Sequence, residues 1–386
     1  MKKWEVKTIG DVCVSASSNV SQNKLENDEG DYPIYGASGL IKKVSFYHPD
    51  KPYLSIVKDG SVVGRVTKMN AYTSVIGTLQ YIIPKENVDL DYLNYSLMFV
   101  DFKKYVAGAA IPHIYFKDYK SEPFLWMPLQ EQQHIVAILD KTFAALDQAK
   151  AKTEQNLKNA KELFESYLGG VFEKKGKGWE DYNLKEITKK IGSGATPRGG
   201  QENYKSEGIS LVRSMNVHDW EFRDKNLAYI DEKQAKELDG VTLQENDVLL
   251  NITGASVARC CVFPIEYLPA RVNQHVSIIR PKKDILDSKF LNLLLTSKVY
   301  KDQLLFTGEQ GATRQAITKA QIESFRISIP SLKVQQTIVH QLDALRTETQ
   351  KLEAIYQKKL LALEELKKSV LAKAFAGELT NKNVVE

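Results

Sequence analysis

The sequence predicts an α/β (α+β) chain of two similar domains, separated by two long helices that form an antiparallel coiled coil, with a pseudo-twofold internal repeat. Three observations lead there. First, Gly108-Ala109-Ala110-Ile111-Pro112-His113-Ile114 returns as Gly311-Ala312-Thr313-Arg314-Gln315-Ala316-Ile317. The pairs Gln132/Gln335, Leu139/Leu342, Asp140/Asp343, Leu163/Leu366 and Phe172/Phe375 keep the same offset of 203 positions. Second, each copy is followed by a long, charged, helix-patterned stretch. Third, each is preceded by short apolar runs broken by Gly, Pro, Asn and Asp, the pattern of strands joined by turns.

Residues 1–130 form the first domain. Tyr53–Val57 reads as a strand closed by Lys58-Asp59-Gly60, and Thr78–Ile83 as another closed by Pro84. A helix is predicted over Asp91–Lys104, where Leu93, Leu97 and Val100 share a face. Residues 131–173 form the central helix, free of Gly and Pro until Gly169-Gly170. Its seam is Ile135, Leu139, Leu146, Ala149, Leu157, Ala160, Leu163 and Tyr167, thin where Ala149, Thr153 and Asn156 replace bulky side chains. At 1.5 Å per residue it would reach about 60 Å. Glu173–Gly178 breaks it as a linker.

Residues 174–331 form the second, more turn-rich domain, and 332–386 the second helix, with Ile338, Leu342, Leu345, Leu352, Tyr356, Leu363, Leu366 and Val370 along its seam. Each helix is longer than a domain is wide, so its stripe must be covered by the other helix or by a partner. The linker lets the chain return, which favours pairing within the chain over a dimer. Glu364, Glu365, Lys367 and Lys368 then fall on the wet face.

Composition narrows the function. At 386 residues the chain holds two or three domains by length, and the repeat favours two. A hydrophobic fraction of 43% with 26% charged residues, and a mean hydropathy of −0.33, predict a soluble protein that does not enter a membrane. No apolar run approaches the ~18 residues a span needs. The lysines of Met1-Lys2-Lys3-Trp4 lead into no apolar stretch, so no secretory signal is expected. Cys13, Cys260 and Cys261 offer neither a disulfide framework nor a zinc pattern, and the expected location is cytoplasmic. A net charge of +5 is compatible with nucleic acid without demanding it.

Catalytic signatures are missing. There is no Pro-Pro for an amino-methyltransferase motif, no phosphate-binding loop, no HExxH and no Gly-x-Ser-x-Gly, and the six histidines are scattered. No catalytic or metal-binding residue is assigned; the chain is expected to bind rather than transform. The polar, glycine-rich turns are the candidates. In the first domain these are Tyr35 and Ser38 in Tyr35-Gly36-Ala37-Ser38-Gly39, then Lys58, Arg65, Tyr72 and Thr73. In the second they are Arg198, Arg213, Asn216, Asn251, Thr253, Arg259, Asn273, Gln274, Arg314 and Gln315. Glycine lets a backbone approach a ligand, cations meet phosphates, and Asn, Gln and Arg bond base edges bidentately.

These residues resemble a family. Gly311–Ile317, Leu249-Leu250-Asn251-Ile252-Thr253-Gly254, Tyr35–Gly39 and Pro128-Leu129-Gln130-Glu131-Gln132-Gln133-His134-Ile135-Val136 look like the specificity subunit of type I restriction-modification systems. The resemblance implies two target recognition domains, each reading half of a split, asymmetric site in double-stranded DNA. It also implies helices that dock two modification (adenine methyltransferase) subunits carrying S-adenosylmethionine, and restriction/translocase subunits using ATP and magnesium. No cofactor is expected in this chain. The first half departs from the pattern, with Ile111-Pro112 where the second has Arg314-Gln315. A coiled-coil adaptor that assembles proteins without reading DNA is the competing reading.

Overall fold

The computed structural model describes residues 4–197, 200–309 and 316–380. Two helices dominate, α4 (Leu129–Lys174) and α10 (Leu332–Phe375). The chain divides into two compact units, one of Met1–Glu154 with Lys358–Glu386, the other of Gln155–Gln357. Each unit therefore takes a segment of both helices.

In the first unit β1 (Glu5–Thr8) pairs antiparallel with β9 (Pro123–Trp126). A four-stranded antiparallel sheet follows the order β2 (Cys13–Ser17), β8 (Leu79–Pro84), β5 (Tyr53–Val57), β6 (Val66–Met69). In a second sheet β3 (Tyr32–Gly36) lies between antiparallel β4 (Gly39–Val44) and parallel β7 (Ser74–Val75). Strand β5 is buried along its whole length, which its run Tyr-Leu-Ser-Ile-Val permits because both faces are covered. Helices α1 (Ile9–Val12), α2 (Leu90–Phe99) and α3 (Phe116–Tyr119) close the domain. Tyr92 and Phe124 meet edge to face at 5.4 Å, and Ile135, Leu139 and Phe143 of α4 join Leu371 and Ala374 of α10 in the same core. The two helix segments run antiparallel: Lys150 pairs with Glu364 at 2.6 Å, and three residues earlier on α4 Asp147 meets Lys367 three residues later on α10, at 3.2 Å.

The second unit repeats this topology. Strand β10 (Glu180–Asn183) pairs with β20 (Arg326–Ile329). The four-stranded order is β11 (Thr188–Ser193), β19 (Val276–Pro281), β16 (Val248–Asn251), β17 (Cys260–Val262). In the three-stranded sheet β12 (Ile209–Val212) lies between antiparallel β15 (Ala228–Ile230) and parallel β18 (Ala270–Val272). A small hairpin, β13 (Val217–His218) with β14 (Glu221–Phe222), has no twin among the described residues of the first unit. Helices α5 (Leu184–Ile187), α6 (Glu232–Glu237), α7 (Ser288–Thr296), α8 (Lys298–Glu309) and α9 (Lys319–Glu323) complete it. Phe164, Leu168 and Phe172 of α4 and Val339 and Leu342 of α10 share one core with Phe290 and Tyr300. Burying a side chain such as Phe172, fully enclosed and 5.5 Å from the Phe290 ring, contributes about 1.5–3 kcal/mol.

Three expectations from the sequence change. The helix expected over Asp91–Lys104 stops at Phe99, because Val100 turns extended and Asp101 caps a separate 3-10 turn at Phe102–Tyr105. The seam also shifts: Leu163, Tyr167, Leu352 and Leu366 are exposed, while Ala160, Phe164, Leu168 and Phe172 are buried at a strict spacing of four. A 3.5-residue repeat assumes that the other helix covers the stripe, whereas here the domain covers much of it and a straight helix drifts off that repeat. Finally, Glu364 and Lys367 are cross-links to α4 rather than a free wet face. No helix among the described residues is long and apolar enough to cross a membrane.

A buried amide joins each long helix to its domain. Gln132 accepts from the backbone N–H of Asp89 at 2.9 Å and donates to the carbonyls of Asn87 and Met127 at 2.9 and 2.8 Å. Gln335 accepts from Asp287 at 2.9 Å and donates to Ile285 and Pro330 at 2.9 and 2.8 Å. Asp89 and Asp287 are the N-caps of α2 and α7, so one glutamine fixes the first turn of the long helix against the cap of its neighbour.

The cysteines are buried and unpaired. Burial pushes the Cys13 and Cys261 thiols up to about 12 and Cys260 well above the ordinary thiol range. Because the thiolate is the nucleophile, a raised pKa keeps all three protonated at neutral pH. The native protein is expected to resist alkylation at pH 8 and to take up three equivalents of reagent in denaturant, as a mass shift would record; rapid labelling of the native chain would contradict the burial.

Candidate nucleic-acid interface

The two domains present equivalent loops at the same end of equivalent strands. Beyond β5 the chain runs Gly60-Ser61-Val62-Val63-Gly64-Arg65, and beyond β16 it runs Gly254-Ala255-Ser256-Val257-Ala258-Arg259. Their backbone bonds match. Val63 N–H reaches Gly60 at 3.3 Å and Val257 reaches Gly254 at 3.0 Å; Gly64 bonds Val57 at 2.8 Å and Ala258 bonds Asn251 at 2.9 Å; Val57 bonds the carbonyl of Arg65, and Asn251 that of Arg259. Gly60 and Gly254 have φ of 111° and 72°, in the left-handed region where glycine is unstrained. A Cβ there would meet nothing, so the turn stays open to an approaching ligand.

The last residues of the repeated segment, His113-Ile114 and Ala316-Ile317, pair with the residues that lead into this loop in both domains. Ile114 N–H bonds Lys58 at 2.9 Å and Ile317 bonds Ile252 at 2.8 Å, while Asp59 bridges to His113 and Thr253 to Ala316. The end of the repeat is thus a backbone clasp beside an arginine-bearing turn.

In the first domain the structure gathers Lys58, Arg65 and the turn holding Ser38. Exposed Arg65 donates from its guanidinium to the carbonyl of Ala37, and exposed Ser38 follows it. Lys58 lies 4.0 Å from the Asp59 carboxylate, a contact too long and wet to hold it. Tyr35 is half-buried in β3, bonded through its backbone to Ile76. Tyr72 and Thr73 lie elsewhere, next to the first residue of β5, whereas Arg65 is next to its last. A five-residue strand separates those ends by roughly 13 Å. Tyr72 is 52% exposed and stacks edge-on with Tyr47, whereas buried Thr73 bonds Tyr53 and the carbonyl of Asn70.

In the second domain the candidates converge on the loop end, but with divided labour. Asn216, Asn251 and Asn273, expected at the DNA surface, are buried instead. Asn216 donates to the carbonyl of Arg223 at 2.8 Å and accepts from Arg213 N–H at 3.1 Å; Asn251 donates to Ser214 at 2.9 Å; Asn273 accepts from His275 N–H at 3.0 Å. Short amides satisfy turn backbone well, which is why they sit inside the loops. Thr253 faces His275, Oγ1 to Nδ1 2.6 Å, and exposed Gln274 accepts from the Thr196 hydroxyl. Arg213 reaches the carbonyl of Asn226 at 2.5 Å and lies 5.4 Å from the Tyr204 ring. Its Nε and the Asn251 Oδ1 are buried with no hydrogen-bond partner among the described residues. Half-buried Arg259 has no ion pair among the described residues. Arg198, Arg314 and Gln315 lie outside the described residues.

Sequence reasoning missed the equivalence of Arg65 and Arg259. The signal existed as Gly-x-x-Val-Gly/Ala-Arg, but at an offset of 194 rather than 203, because the second domain's connections differ in length.

The family model for the type I restriction modification DNA specificity domain matches residues 1–159 and again 176–361. The chain belongs to that family. The specificity subunit of the type I restriction enzyme EcoBI of Escherichia coli is 26% identical over 278 residues, 66% of this chain and 57% of that protein. The match thus spans little more than half of the relative's length. Two solved chains share the fold. One, from work on complex assembly and conformational transition of the type I R-M system, is 17% identical with a TM-score of 0.76 over 98% of this chain and 99% of its own. The other, the HsdS subunit from Thermoanaerobacter tengcongensis, is 17% identical with a TM-score of 0.63 over 97% of each. Membership of a DNA specificity family fits a chain whose two domains share a clasped arginine turn and differ in the polar groups around it.

Proposed function

We propose that this chain is the DNA-reading specificity subunit of a type I restriction-modification complex in the cytoplasm, non-catalytic by itself. Residues 1–130 and 174–331 act as target recognition domains on the two halves of a split site; 131–173 and 332–386 connect them and dock two adenine-methylating subunits that bring S-adenosylmethionine. Restriction subunits using ATP and magnesium join that assembly. The observation that carries this reading is the clasped turn, built the same way twice with Arg65 and Arg259 in equivalent places, among side chains that differ between the domains. A shared frame with unlike contacts suits two different half-sites. Ser38, Lys58, Arg65, Arg213, Thr253, Arg259 and Gln274 face the DNA, and Tyr35, Thr73, Asn216, Asn251 and Asn273 shape the turns that hold them.

Genome-wide mapping of methyladenine in cells with and without this chain tests the proposal. A split asymmetric motif should disappear when the chain is removed and return when it is restored. An unchanged methyladenine pattern would leave the chain as an adaptor with no role in sequence choice.

A further inference from the structure

The second domain carries a charged feature that its twin lacks. Beside the edge strand β11 lies an open cleft of about 660 Å³ lined by Lys185, Lys189, Lys190 and Lys319. One carboxylate, Glu323, also lines it and lies 3.6 Å from Lys319. Among the residues that line the cleft, lysines thus outnumber acids four to one. Where the cleft has Lys185, Lys190 and Lys319 the first domain is neutral: Gly10 stands at the second residue of α1 where α5 has Lys185, Val14 pairs with Ile83 where Lys190 pairs with Arg280, and Phe116 opens α3 where Lys319 opens α9; a cation here, Lys120, stands 203 positions before Glu323 and packs against Gly10. Lys189 occupies the extra residue of a register shift in β11, absent from β2.

Burial and the charge of Arg280 draw the Lys190 ammonium below the usual lysine range, against the opposing Asp247 carboxylate, and its Nζ donates to the carbonyl of Gly240. Strand β11 leads from the cleft to the candidate interface, since Gly194 N–H bonds the carbonyl of Asn273 at 3.1 Å and Thr196 donates to Gln274. A Cβ at Gly194 would lie 1.7 Å from the carbonyl oxygen of Val272, so only glycine allows this approach. From Lys190 to Gly194 the strand covers roughly 13 Å, and duplex DNA places one phosphate per strand about every 3.4 Å of its axis.

We propose that this cleft binds phosphodiester groups of the duplex running on from the second half-site, an anchor whose four lysines have no counterparts at the matching positions of the first domain. The inference rests on the DNA-reading function proposed above. It assigns Lys185, Lys189 and Lys319 to the backbone rather than to base edges, so they add affinity without sequence preference.

The test uses the full chain and a mixed-sequence duplex of about 30 base pairs, with affinity followed by anisotropy between about 50 and 200 mM salt. The combined variant Lys185→Gln, Lys189→Gln, Lys319→Gln should flatten the slope of log affinity against log salt by about 0.9 per lost contact, up to about 2.7. Lys190 is left in place because it closes the loop at Gly240. A control triple on exposed positions of α10, Lys333→Gln, Lys358→Gln, Lys359→Gln, should flatten it by less than about one. The charge-preserving triple of Lys185, Lys189 and Lys319 to Arg should keep the wild-type slope. Equal flattening by the cleft and control triples, no flattening by the cleft triple, or flattening by the arginine triple overturns the assignment while leaving DNA binding intact. A wild-type chain with no salt-dependent affinity overturns the DNA-reading function, and the cleft with it.

Discussion

Arg259→Ala is expected to weaken binding to the cognate site about 5- to 150-fold, corresponding to about 1–3 kcal/mol for a lost bidentate base contact. The loss should be confined in kind: the half-site read by the second domain becomes degenerate in methyladenine maps, while the half-site of the first is kept. Arg65→Ala should give the reciprocal pattern. The two are not equal in stability. Arg65 also holds the Ala37 carbonyl, so its removal should cost roughly 0.5–1.5 kcal/mol of folding free energy, whereas Arg259 has no such bond among the described residues. Lys368→Ala, which removes only an exposed pair with Glu365, should leave recognition as it is. If both arginine variants lower affinity for all sequences alike, without relaxing either half-site, the turns touch phosphate and bases are read elsewhere.

Gln132→Ala should lower the melting temperature of the first unit by about 6–12 °C. The truncation leaves the Asp89 N–H and the carbonyls of Asn87 and Met127 without their partner, in a place where Gln132 is fully buried. Each such group costs about 1–3 kcal/mol. The small cavity left by the amide can admit water, so the lower bound for three groups, about 3 kcal/mol, is the better figure. For a unit of this size that converts to about 2–4 °C per kcal/mol. Gln335→Ala should act likewise on the second unit, since its three bonds are the same within 0.1 Å. Calorimetry of each variant decides; a shift below about 2 °C would mean that water replaces the amide at little cost.

The sequence carried the architecture well because its strongest signals are long. An unbroken helical pattern from Glu131 and another from Val334 survive any local ambiguity, and the constant offset of Gln132 and Gln335 marks a residue whose surroundings are duplicated atom for atom. Seam positions were less legible. Leu163 and Phe164 are adjacent and both apolar, and only packing against Phe172 and Trp220 decides that Phe164 is the buried one. The site was legible by cluster but not by role. Asn251 and Thr253 are two residues apart in one turn, yet the first is spent on the backbone of Ser214 and the second faces His275. Nothing in a linear string tells a side chain that builds a turn from one the turn displays.

That the first unit includes part of α10 has a consequence for how the protein is made. Leu371 and Ala374 fill the core formed by Tyr92, Phe124 and Leu139. A ribosome adding about 5–20 residues per second needs roughly 10–40 s to travel from the middle of α4 to Ala374. Throughout that interval the nascent first domain carries an apolar slot that only a distant stretch of its own chain can fill. Any other copy that presents its α10 segment first could fill it instead, so synthesis order sets a kinetic contest between closure within one chain and exchange between two.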